Sequence, residues 1–171
     1  MENWAEKDSP WEPGKACWPD HHDQLTENLE SVAVTFARKL PDWSVDAEDY
    51  SVVRLHQFRV KDDQAFRESV GSIVDILKES GYPHLGTWYN VIGNDASEPG
   101  YFVAAPFENF AAMDEDVGPY QALIEAAGQE RAEQLWEQFG ESLRDDSEYS
   151  SALLRREDDL SHTNDSRSND D

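Results

Sequence analysis

Residues 50–60 read YSVVRLHQFRV, and the reading of this run decides the fold. β-Branched and aromatic side chains dominate it, and neither Gly nor Pro interrupts it, which is the composition of a strand. Side chains alternate along a strand. Val53 and Leu55 therefore share one face, and Val52, Arg54, His56, Phe58 and Val60 share the other. The first face is apolar and is expected to meet the helices. The second is mixed and is expected to look away from them.

Outward from this run the period changes. Phe66, Val70, Ile73, Val74 and Leu77 fall on one stripe of an α-helix. Asp62 or Asp63 caps its start, Gly81 tolerates the positive φ of its stop, and Pro83 forbids resumption. LGTWYNVIG at 85–93 reads as a second strand, NDASEPG at 94–100 as a turn, and Tyr101–Ala105 as a third strand. A connection this short makes an antiparallel hairpin. A short turn at Phe107–Met113 and a break at Asp114–Gly118 precede helical periods from Pro119 to Leu143, which Gly128 interrupts. YSSALLRR at 149–156 is the last strand. The order is β-α-β-β-α-β, the ferredoxin-like arrangement of an α+β protein, with four antiparallel strands and both helices on one face.

Within this unit VVRLHQFRVKDDQAF resembles the first strand and helix start of the dimeric α/β-barrel superfamily. GTWYNVIGND followed by YFVAAPFENFAAM is similar to its central hairpin and the start of its second helix. That superfamily includes antibiotic-biosynthesis-type monooxygenases, haem-degrading monooxygenases and NIPSNAP-like proteins. The resemblance spans roughly residues 50–160 and implies a homodimer whose sheets close a barrel around a cavity. The chain departs from the common pattern at Asp62-Asp63, where members often carry Pro-Gly, and it lacks the Asn/Trp/His set of the haem-degrading members. No catalytic residue is transferred.

The chain has 171 residues, enough for one domain (50–156) with an N-terminal arm and helix (1–49) and an acidic tail (157–171). Aromatic residues make up 11 %, which argues against wholesale disorder. No apolar run is long enough for a membrane span, and MENWAEKDSPWEP has neither the basic nor the apolar region of a signal peptide, so a cytoplasmic location is expected. Acids outnumber bases by 37 to 14, giving a formal charge of −23 that repels nucleic acid and anionic membranes. A surface adapted to high salt is the preferred reading, ahead of an ordinary acidic surface and of a decoy for a basic protein.

The arm carries Trp4, Trp11 and Trp18 among prolines, and is read as pinned to the body by its indoles. Cys17, Asp20, His21, His22 and Asp23 are all possible zinc ligands in type, but adjacent histidines do not share a helix face, and no metal site is assigned. Leu25, Leu29, Val32, Phe36 and Leu40 make a helical stripe over Asp23–Leu40, which Pro41 ends. Trp43 and Val45 anchor the linker that follows. The acid-rich residues 157–171 are expected to stay mobile.

No G-x-S-x-G, Walker loop or G-x-G-x-x-G is present. The candidate ligand-binding residues are Arg54, His56 and Phe58 on one strand face, with Trp88, Asn90 and Tyr101 lining the same space. His56 is suited to acid–base work near neutral pH and Arg54 to holding an anionic oxygen. A small-molecule enzyme, of cofactor-independent monooxygenase or haem-handling type, stands against a non-catalytic binding or structural dimer. No cofactor is assigned.

Overall fold

The structure, a computed structural model, describes residues 35–45, 50–93, 99–144 and 150–155. The tryptophan arm, the Cys17–Asp23 cluster and the tail at 157–171 lie outside them. In chain order the elements are β1 (Phe36–Lys39), a 3-10 turn (Pro41–Trp43), β2 (Val52–Phe58), α1 (Asp63–Ser80), β3 (Thr87–Ile92), β4 (Tyr101–Phe107), α2 (Phe110–Asp114), α3 (Gly118–Ala127), α4 (Gln129–Ser142) and β5 (Ser150–Arg155).

The strands form one antiparallel sheet in the order β1-β3-β4-β2-β5. Without β1 this is the strand order of a ferredoxin-like βαββαβ unit, and the α+β reading stands. The sheet has five strands rather than the four expected. The additional strand falls where the sequence predicts the last turn of a helix: Phe36–Lys39 pairs with Ile92–Tyr89 of β3. Residues 23–34 of that helix lie outside the described residues. Helical propensity is a weak local preference. Pairing with β3 satisfies a row of backbone groups that would otherwise form the sheet edge.

Helix α1 forms as its sequence dictates. The Asp62 carboxylate accepts from Ala65 N at 3.0 Å, and Gly81 ends the helix at φ 76°. The apolar stripe Phe66, Val70, Ile73, Val74 and Leu77 is buried. The helical stretch predicted over Pro119–Leu143 is two helices, α3 and α4, broken at Gly128 as expected, and α2 stands where the short turn was expected. α1 packs on α3 and α4. β4 continues through Pro106 to Phe107, two residues past its predicted end. There the pairing with β3 has already stopped at Thr87–Ala104, so β4 is flanked by β2 alone, which suits a residue with no N–H.

The two faces of β2 are opposite to expectation. Phe58 lies 5.9 Å from Phe66 of α1 and stacks on Trp88 at 5.5 Å. Val52, Arg54, His56 and Phe58 therefore face the helices. Val53 and Leu55 lie on the open face, in register with Pro106 and Ala104. Alternation sorts residues into two sets without saying which set is inside. Here Val52 and Phe58, at the two ends of the strand, are both buried in the core, and the polar pair between them is carried inward.

Candidate functional site

The buried core falls into three clusters. Phe58, Phe66, Val70, Val74, Trp88, Tyr101 and Val103 form one between sheet and α1. Ile73, Leu77, Leu85, Leu123 and Leu135 form a second among the helices. Val52, Ala105 and Phe107 form a third towards α2. A cavity of about 300 Å³ lies where they meet, with walls drawn from all three. Its walls are mostly apolar, and its polar groups are Arg54, His56, Tyr82, His84, Trp88 and Asp116.

Arg54 and His56 reach it because they alternate with Val53 and Leu55 on β2. Arg54 Nη1 faces Asp116 Oδ2 at 3.7 Å, and its guanidinium lies 4.9 Å from the Phe107 ring centre. Asp116 comes from the segment between α2 and α3, and its side chain is only 3 % exposed. Its Oδ1 accepts from the Tyr82 hydroxyl at 2.8 Å and from Gly118 N at 3.0 Å. Burial and the bond to Asp116 raise the Tyr82 hydroxyl above the usual phenol range. His84 stacks on Phe107 at 4.3 Å, and its Nδ1 lies 3.1 Å from Pro106 O. A carbonyl oxygen only accepts, so Nδ1 carries the proton. Trp88 is 8 % exposed, and its indole N–H has no acceptor among the described residues.

Burial, and next the Arg54 charge, lower the His56 pKa from 6.5 to about 4. The ring is therefore uncharged near neutral pH and does not switch there, contrary to the role read from its sequence position. Protonation favours the unfolded chain between these two values, so stability falls as pH drops from 6.5 to about 4 and the loss is complete below that. Relative to His56→Gln, which has no such proton, the wild type should lose on the order of 1–2 kcal/mol across this window, allowing for solvent screening. Urea midpoints of both proteins at the two ends of the window read the difference. Parallel curves would refute the burial argument. The many carboxylates that titrate in the same range cancel in the comparison.

Of the six residues singled out from sequence, Arg54, His56, Phe58 and Trp88 line this cavity, which lies on the helix side of the sheet and not on the barrel-closing face where they were expected. Asn90 and Tyr101 do not. Asn90 Nδ2 donates to Gly100 O at 3.1 Å, bracing the hairpin. Tyr101 packs its ring on Phe66 at 4.6 Å, and its hydroxyl donates to Asp63, tying β4 to the start of α1. Trp43 also joins this aromatic group, 5.7 Å from Trp88, as the anchor expected of it. Val45 holds by its backbone, its N donating to Gly86 O at 2.9 Å, while its side chain is exposed. Tyr82, His84 and Asp116 were missed. All three sit in connections, where periodicity carries no signal, and only an ionisable residue flanked by turn glycine marks Asp116.

Among the described residues no group of His, Cys, Asp and Glu is arranged to hold a metal ion, and no helix is long and apolar enough to cross a membrane. Compared with protein-family models, with curated proteins and with solved structures, the chain matches none.

Proposed function

We propose that the chain binds a small, mostly apolar molecule in the cavity between its sheet and its helices. The observation that carries this is the cavity itself. Close-packed interiors hold few voids larger than a water molecule, and about 300 Å³ is at the lower end of the range for ligand pockets. Three of its few polar groups, Arg54, Asp116 and Tyr82, are joined at one place, as orienting groups are in a ligand site. The size favours a compact molecule over a macrocycle such as haem. The monooxygenase type of activity is supported by the resemblance of roughly residues 50–160 alone, and the substrate of such an activity would occupy this same cavity.

The second part of the reading is a homodimer through the open sheet face. Val53, Leu55, Phe102, Ala104 and Pro106 share that face in register, and Tyr89 stacks on Phe102 at 4.7 Å. A largely apolar face of this kind, with Gln57 and Thr87 among its apolar residues, favours a partner. The −23 charge opposes self-association at low ionic strength, so the dimer tightens with salt.

Occlusion tests the binding reading. Ala105 lines the cavity beside Arg54 in register, so Ala105→Phe projects a ring into the space. The neutral fluorophore N-phenyl-1-naphthylamine should bind the wild type, and at least about tenfold more weakly the variant, a change of 1.4 kcal/mol. Circular dichroism should show the fold retained, since the ring enters a void. Equal binding by both proteins would place the fluorophore elsewhere and sink the reading.

A further inference from the structure

We infer that the cavity selects an uncharged ligand bearing a hydroxyl group, and that Asp116 is the residue that excludes anions. This rests on the reading of the cavity as a ligand site. Arg54 alone would suggest an anionic ligand. The structure gives it a counter-charge from within the chain instead. Asp116 cannot easily swing aside, because its Oδ1 is held by both the Tyr82 hydroxyl and Gly118 N. A ligand carboxylate entering here would be a second anion competing for one guanidinium. It would meet a fixed, buried carboxylate in a chain of charge −23. A ligand cation would meet Arg54. The polar end therefore has no net charge to offer, and burying an unpaired charge there is costly.

The spacing also says which neutral group fits. At 3.7 Å, Arg54 Nη1 and Asp116 Oδ2 attract as an ion pair but do not make a hydrogen bond. Among the described residues the Arg54 guanidinium makes no hydrogen bond, so its donors remain for a ligand. A hydroxyl beside the pair accepts from the guanidinium and donates to Oδ2, satisfying both. A ketone or ether serves only the first. Arg54 is 27 % exposed, so the polar end is not sealed from solvent. The rest of the ligand lies against Val70, Val74, Leu77 and Val103.

Three bicyclic probes of similar shape test this by calorimetry at neutral pH: 2-naphthol, naphthalene and 2-naphthoate. The wild type should bind 2-naphthol at least about tenfold tighter than 2-naphthoate, with naphthalene weaker than 2-naphthol. Asp116→Asn removes the negative charge and keeps an oxygen for Tyr82 and Gly118. It should reverse the order of 2-naphthol and 2-naphthoate, because Arg54 then lacks a counter-charge. Tyr82→Phe, which frees one side of Asp116, should narrow the difference. Tighter or equal binding of 2-naphthoate by the wild type would overturn the inference while leaving the cavity reading intact, as would an order unchanged in Asp116→Asn. If none of the three probes binds, the cavity reading falls and the inference with it. Should Asp116→Asn fail to fold, the wild-type comparison decides alone.

Discussion

Gly86→Ala is expected to destabilise the protein by about 2–5 kcal/mol, more than the same change at any other described glycine. Two costs add. Gly86 has φ 72°, a left-handed conformation that costs an L side chain about 1–2 kcal/mol. A Cβ there would also run into the Ala104 carbonyl oxygen and come within 2.8 Å of its carbon and 2.9 Å of Ala105 Cα. These are backbone atoms of a central strand and cannot rotate away. Either β3 or β4 must shift, and Leu85, Trp88 and Ala105, all of which wall the cavity, shift with them. Gly81→Ala is the control. Gly81 has φ 76° but nothing within 4 Å of an added Cβ, so it bears the first cost without the second. Urea unfolding of the two variants should separate them clearly. Equal losses would mean that the close approach of the chains is not what requires glycine at 86. Because the substitution moves the cavity wall, Gly86→Ala should also weaken N-phenyl-1-naphthylamine binding in whatever fraction remains folded.

Leu55→Asp is expected to turn the proposed dimer into a monomer without unfolding the chain. Leu55 lies at the middle of β2 on the open face, opposite Ala104 of β4 and Ala152 of β5. In a two-fold dimer each substitution occurs twice, so two carboxylates would be buried without partners. Each costs several kcal/mol, and the Kd should rise by more than about a hundredfold. Sedimentation at micromolar concentration in molar salt should show the wild type as a dimer and the variant as a monomer. The helix-side core is untouched by this change, so circular dichroism should match. A wild type that sediments as a monomer would refute the dimer. A variant that unfolds would show that Leu55 belongs to the core after all.

Leu55 also shows how far the sequence could be read. The alternation in residues 50–60 identifies β2 and sorts its side chains into two sets, and both inferences hold. Alternation has no sign, however, and the natural choice put the apolar pair Val53 and Leu55 inward. The helices in fact cover Val52 and Phe58, and Arg54 and His56 go inward with them. What makes this tolerable is the cavity, which gives the two polar side chains room and, through Asp116, a partner. No local pattern encodes that space, because it is the gap left by three clusters built from distant segments. β1 was lost for a related reason: Phe36 and Leu40 fit a helical stripe, and the bare edge of β3 that captures Phe36–Lys39 is more than forty residues away. Elements whose period is fixed by their own neighbours, such as α1 between Asp62 and Gly81, were legible almost to the residue.

The order β1-β3-β4-β2-β5 has a consequence during synthesis. β2 is made early, yet both strands that flank it, β4 and β5, are made later, and β5 is the last of the described elements. While the chain is emerging, the β3–β4 hairpin can close at once from adjacent residues, and α1 can coil on its own. β2 has to wait. Until residues 150–155 leave the ribosome, one side of β2 presents an open row of N–H and C=O groups, on a strand already rich in Val, Leu and Phe. Such an edge recruits whatever strand comes first, including the same strand of a neighbouring nascent chain. The like charges that repel mature copies of this acidic chain also keep its unfinished ones apart. The acidity thus protects the chain through the interval in which its sheet lacks a side.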